Sequence, residues 1–258
     1  MSDPLAAIAE LPGVPEAVRE AREAIDRLYR HRVLRRRSPE VSAESALRGA
    51  RASAALEGVD VPLDPVRRGE VTDPVVQGAL RVSAELGRLA GVWRSAPRQA
   101  LARLHALAAV GLTDAPGRPR TTPTSVDPLG LGPAPGPEET AARMSALADL
   151  ASGATTAPAL VTASIVHAEL AVLRPFGTAD GLVARAAQRL ILVEFGLDPK
   201  SLDAVEMGHF ELGDAYAEGL RSYLKGTGEG VGAWVRHCAD AVVLGAREAV
   251  AVCEALSR

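Results

Sequence analysis

Aromatic side chains are scarce in this sequence, 3% of 258 residues, and cysteine is nearly absent, with only Cys238 and Cys253. The shortage of aromatics leaves an apolar fraction of 47% built mainly from Ala, Leu and Val, which suits close-packed helices better than sheets. An all-α fold in one large domain is therefore the expectation. The two cysteines fall on one predicted helix, too far apart along it to pair, so no disulfide framework is expected and a reducing cytoplasm fits. Lysine is limited to Lys200 and Lys225, and the net charge is only −3 with a pI near 6.0. That balance argues against broad electrostatic capture of nucleic acid. No run approaches the ~18 apolar residues of a membrane span, and the basic-then-apolar signal pattern is missing. A cytoplasmic protein that contacts neither nucleic acid nor membrane is the expectation.

What is present is helical periodicity. Val18, Ala21, Ile25 and Leu28 repeat at three-to-four spacing and predict a helix over about 15–37, acidic at its start and Arg-rich at its end, which complements the helix dipole. Ser38-Pro39 reads as a break and a new start. The next helix runs through Leu47, Ala50 and Ala54 to Glu57-Gly58, where Gly58 suits a left-handed cap. Glu57 is awkward there, because a carboxylate in the last turn faces the negative end of the dipole. Further helices are predicted through Val75–Trp93, Leu101–Ala108, from about Glu138, and over Leu160–Leu173. Others begin near Gly181, span Asp214–Leu224, and run from Val231 to Leu256. Between Asp114 and Pro137 seven prolines exclude continuous helix, leaving Thr121-Thr122 and Thr124-Ser125-Val126 as candidates for short edge strands.

The chain is organised around Val172-Leu173-Arg174-Pro175-Phe176-Gly177-Thr178-Ala179-Asp180-Gly181-Leu182-Val183-Ala184-Arg185. An all-apolar helix stops at Arg174-Pro175, a short loop follows, and a second helix starts near Gly181. The unsatisfied N–H groups of that start suit an anion. Asp180 stands where it would cap the second helix itself, filling the anion hole from within. Arg174 and Arg185 would then hold Asp180, Glu57 or an anionic ligand. The histidines carry less. His105 and His167 sit among apolar positions and read as core residues, and His209 and His237 lack zinc-like spacing. No metal site is predicted.

These residues resemble the Fic (fido-fold) family, whose signature is His-Pro-Phe-x-Asp/Glu-Gly-Asn-Gly-Arg-x-x-Arg between two central helices. Arg174-Pro175-Phe176 stands for His-Pro-Phe, and Arg185 falls on the final Arg. Ser164-Ile165-Val166-His167-Ala168-Glu169 resembles the helix before the motif, and Ala215–Leu220 a downstream helix. Gly117-Arg118-Pro119-Arg120 and the Pro-rich stretch to Glu138 resemble the flap that docks a target polypeptide. Ser53-Ala54-Ala55-Leu56-Glu57-Gly58 fits the family's inhibitory pattern, in which the Glu pairs with the last motif Arg. The resemblance implies an all-α Fic-like bundle with a small flap or hairpin. Its expected layout is an N-terminal helical extension over 1–44 and a Fic-like domain over 45–258, with the flap at about 115–137 and the motif at 174–185. A protein partner at the flap groove and a homodimer are also implied.

The departures from the signature bear on chemistry. The family's His accepts a proton from the target hydroxyl, and an Arg, whose guanidinium holds its proton far more strongly, does not. Thr178 takes the place of the carboxylate that would hold Mg²⁺, and is a poor hard-cation ligand. Asp180 replaces Asn and Leu182 replaces the first Arg. No cofactor is assigned; ATP with Mg²⁺ is what an intact motif would use. The site candidates are Arg174, Thr178, Asp180, Gly181 and Arg185 for an anion, and Ser53, Glu57 and Gly58 for inhibition. Three readings stay open: a silent Fic-like binding or regulatory module, a nucleotidyl- or phosphoryl-transfer enzyme or anion binder with unusual residues, and an all-α structural protein with a coincidental motif.

Overall fold

A computed structural model describes residues 3–257. Its elements are α1 (Pro4–Ala9), α2 (Val14–Tyr29), α3 (Leu34–Leu56), α4 (Leu63–Arg67), α5 (Pro74–Trp93), α6 (Pro97–Ala108), α7 (Pro137–Ser152), α8 (Ala159–Leu173), α9 (Asp180–Glu194), α10 (Val205–Glu211), α11 (Asp214–Tyr223) and α12 (Gly228–Ala255). Among the described residues there is no strand, so the fold is all-α as composition predicts.

The centre is the pair α8 and α9. In α8 thirteen of its fifteen residues are buried, which follows from a helix that is apolar nearly all round and must be surrounded on every side. α9 packs along it, and α5, α6, α3, α10 and α12 close the ring, while α2 lies on α12. Several helix contacts are close enough to demand glycine, two of them at crossings near the centre. A Cβ at Gly78 of α5 would meet the Ala108 carbonyl of α6 at 2.2 Å, and one at Gly208 of α10 would meet the Ala241 carbonyl of α12 at 2.0 Å.

The first amphipathic helix ends at Tyr29, eight residues earlier than its periodicity predicts. Tyr29 anchors that end: its hydroxyl donates to Asp198 at 2.6 Å and accepts from the Lys200 N–H at 2.9 Å. The Arg-rich segment instead opens α3, which kinks at Arg37 (φ −124°, ψ 23°) one residue before Ser38-Pro39. The expected break is thus a bend inside one helix, because Pro39 falls early enough in the second segment to be tolerated. Residue 44 lies inside α3, which runs through it without interruption. The short helices α1, α4 and α10 were not expected, being too brief for periodicity to register.

The Pro-rich segment is irregular, so the expected edge strands at Thr121-Thr122 and Thr124–Val126 do not form. The flap is tied to the motif loop by only two backbone bonds, Arg120 N–H to Pro175 O and Val126 N–H to Gly177 O, each 2.8 Å. Proline removes the donors a ladder needs.

Candidate functional site

α8 stops where Pro175 follows Arg174, and Arg174 takes the left-handed conformation (φ 46°, ψ 60°) common just past a helix end. Its side chain is buried and reaches into the flap. Nη1 lies 3.0 Å from Asp127 Oδ1, and Nη2 donates to the Gly132 carbonyl. Asp127 also accepts the N–H groups of Leu131 (3.0 Å) and Gly132 (2.9 Å). Burial would raise the Asp127 pKa, but those two N–H groups and the Arg174 guanidinium together hold it below the ordinary value. Residues 126–132 are in this way strapped over the motif. Arg120 holds the other side, donating to the carbonyls of Arg174 (2.8 Å) and Leu173 (3.2 Å) and to Thr140 Oγ1 (2.9 Å). It satisfies carbonyls that the end of α8 leaves free. His105 Nδ1 accepts the Gly117 N–H at 2.8 Å while its ring stacks on Phe176, with centroids 4.1 Å apart. His105 is therefore a core residue that joins flap to motif.

Asp180 does not cap α9. The cap position is Ala179, left-handed at φ 53° and without a side-chain bond, and Asp180 is the first helical residue. Its Oδ1 turns back to accept the Phe176 N–H at 2.9 Å, and Oδ2 has no partner. Burial, reinforced by the Glu57 carboxylate, pushes its pKa up to about 8 against the pull of the Phe176 and Gly177 N–H groups. Arg174 binds Asp127, not Asp180. The expectation that Asp180 fills the anion hole is corrected: a residue inside the first turn points away from the N–H groups that a preceding residue would reach. Thr178 stays half-buried in the loop, and its side chain makes none of these hydrogen bonds.

The carboxylate seated over the first turn of α9 is Glu57. It closes α3 as the cap residue, followed by Gly58 at φ +92° as the left-handed turn requires. Glu57 Oε1 accepts from Arg185 Nη2 at 2.6 Å, and a Cβ added at Gly181 would sit 2.0 Å from that oxygen. Glycine is thus required at 181 for Glu57 to lie there. Arg185 is fully buried, with Nε donating to Ser53 Oγ (2.8 Å), Nη2 also to Ser53 O (3.0 Å), and Nη1 to the Tyr216 hydroxyl (3.2 Å). The cation that offsets Glu57's misplaced charge is thus Arg185, and Ser53 serves it twice.

The space enclosed by Glu57, Asp127, Arg174, Asp180 and Gly181 is about 20 Å³. That volume holds about one water, whereas ligand sites run to about 300 Å³ and more. A space of that size does not admit a nucleotide in this conformation. The site also contains two buried polar atoms without partners, Arg174 Nε and Asp180 Oδ2.

Beyond Tyr216 a buried polar chain continues. Tyr216 OH meets His167 Nε2 at 2.8 Å, His167 Nδ1 meets Gln188 Oε1 at 2.5 Å, and the same oxygen meets His209 Nε2 at 2.7 Å. His209 Nδ1 meets His237 Nε2 at 3.0 Å. Burial lowers the pKa of His167 to about 3 and of His237 to about 4, so the rings are neutral. His167 is a core residue, as expected, and His209 is buried beside it; Arg120 and Tyr216 lie in segments named by the resemblance but without a role, and the sequence does not single out Asp127 or Gln188. An Asp before a Pro-Leu-Gly turn was the only hint of the strap.

A central helix-loop-helix, a flap hydrogen-bonded to that loop and a helix end that places a Glu on the last Arg define the class: the fold is that of Fic proteins. Among the solved structures that share it are the following three. A Fic family protein from Desulfovibrio desulfuricans is 23% identical with a TM-score of 0.76, over 92% of this chain and 74% of that one. Fic-1 from C. elegans is 18% identical with a TM-score of 0.72, over 93% and 73%. A Fic domain containing signaling protein from Bacteroides thetaiotaomicron is 16% identical with a TM-score of 0.63, over 93% and 98%. No protein-family model and no curated protein matches the sequence.

Proposed function

We propose that this chain is a degenerate Fic-like protein that does not transfer AMP and acts as a binding or regulatory module. The observation that carries the reading is Arg174. At the position of the general base stands a guanidinium, which donates hydrogen bonds and has no acceptor site, buried and engaged by Asp127 and Gly132. It neither takes a proton nor leaves its neighbours room for a nucleotide. The test is transfer of labelled AMP from ATP with Mg²⁺ or Mn²⁺, in wild type and in Glu57→Gly. No labelled protein is expected in either, and clear labelling overturns the reading.

The proposed partner is a protein that docks at the flap. Beside the flap a cavity of about 320 Å³ opens between α6, α7 and the motif, lined by Leu101, Ala102, Pro119, Met144 and Phe176, with Arg98 among its residues. Homodimerisation and a cytoplasmic setting belong to the same proposal. No helix among the described residues is long and apolar enough to cross a membrane.

The unpartnered donor Arg174 Nε favours a second reading, in which Arg174 and Arg185 clamp an anionic small molecule or the phosphates of a transferred group after the strap opens. Calorimetric titration against nucleotides and phosphorylated metabolites tests it. A binding signal that Arg185→Ala abolishes supports it, and a flat trace across the panel removes it.

A further inference from the structure

The buried core behind the motif brings together residues that are far apart in sequence. One ring nitrogen each of His167 and His209 and the sulfur of Cys238 lie within 4.8 Å of one another, and all three residues are fully buried. His167 Nδ1 and His209 Nε2 both face the single oxygen Gln188 Oε1, at 2.5 and 2.7 Å. The four residues come from α8, α10, α12 and α9 respectively. We propose that His167, His209 and Cys238, with Gln188 Oε1 as fourth ligand, form a structural zinc site that staples these four helices.

The donor set is suited to the ion. Two imidazole nitrogens, one sulfur and one oxygen make a tetrahedral complement of borderline softness, which selects Zn²⁺ over hard cations such as Mg²⁺ or Ca²⁺. Metal–ligand bonds of about 2.0–2.3 Å put tetrahedral donors roughly 3.4–3.6 Å apart, so binding draws the two histidines and the cysteine in by up to about an ångström and moves Gln188 Oε1, now 2.5 and 2.7 Å from the two ring nitrogens, away from them by nearly as much. The outward nitrogens already have the partners that orient metal-bound histidines: His167 Nε2 has the Tyr216 hydroxyl and His209 Nδ1 has His237. Without an ion, Gln188 Oε1 serves both histidines while Gln188 Nε2 is buried and unpartnered. Binding converts the Cys238 thiol to a thiolate, forms one Zn–S bond and releases one proton to solvent. Since the ligands are sealed inside the bundle, the ion would be taken up as the chain folds. Its effect on the candidate site is indirect. By fixing His167 it fixes Tyr216, which accepts from Arg185.

The test is made on the full-length chain. Protein expressed with added Zn²⁺ is weighed by native mass spectrometry, and protein expressed in cobalt medium is examined for the absorption of a thiolate–Co²⁺ bond. One ion per chain and a thiolate band are expected, both lost in Cys238→Ser and both kept in Cys253→Ser. The thermal midpoint should be higher after refolding with zinc than after refolding with a chelator. Metal-free wild-type protein, a thiolate band that survives Cys238→Ser, or equal midpoints with zinc and chelator each overturn the proposal. The wild-type mass and midpoints decide it even if Cys238→Ser fails to fold.

Discussion

Replacing Asp180 with Asn isolates the cost of a buried carboxyl in the motif. Asp180 Oδ1 accepts the Phe176 N–H, Oδ2 has no partner, and the Glu57 carboxylate lies close enough to repel a second negative charge. Its pKa rises from 3.8 to about 8, mainly through burial. For an acid raised in the folded state, stability is fully present below the unfolded pKa and is lost as pH climbs to the folded one. At about 1.4 kcal/mol per pH unit, the loss is on the order of 4 kcal/mol at pH 7 and 6 kcal/mol above pH 8. Asparagine keeps the acceptor for Phe176 and has no charge to bury. Asp180→Asn should therefore match wild type near pH 4 and become progressively more stable relative to it up to about pH 8. Urea unfolding of both proteins at intervals across that range gives the difference directly. A difference independent of pH, or a variant weaker than wild type at pH 8, refutes the assigned environment of Asp180.

Two further substitutions probe the closures of the site. Gly181→Ala should cost about 1–3 kcal/mol, since its methyl lands on the Glu57 carboxylate and pushes it off Arg185. In a Glu57→Gly background the same change should cost less than about 1 kcal/mol; equal costs in the two backgrounds would show that Glu57 does not sit on Gly181. Asp127→Asn removes the charge that holds Arg174 and should cost about 1–2 kcal/mol. Hydrogen exchange of the Leu131 and Gly132 amides should quicken in that variant, and unchanged protection would mean that the strap is held by something else.

The motif loop shows how far local pattern reaches. Glu57 was legible as a misplaced carboxylate, because helix dipole and cap rules act within one turn, and Gly58 was legible as its left-handed cap. That Arg185 meets it follows from the resemblance and from the crossing of α3 over α9, not from spacing. Asp180 was misplaced by one helical position: the same carboxylate caps a helix from the cap position but turns back to the loop from the first turn. Tyr29 ended its helix early for a reason invisible in periodicity, a hydroxyl held by Asp198 and Lys200 more than 160 residues away.

The sequence by itself determined the all-α class, most of the long helices and the arrest of α8 at Arg174-Pro175, since propensity, apolar period and proline act over a few residues. It also placed Arg174 where the resemblance expects a histidine. Only the tertiary structure decided what Arg174 does instead, which carboxylate lies on α9, and that His167, Gln188, His209 and Cys238 share one point in the core. Those outcomes depend on distances between helices, and such distances are set by how whole faces pack, at crossings such as Gly78 on Ala108 and Gly208 on Ala241.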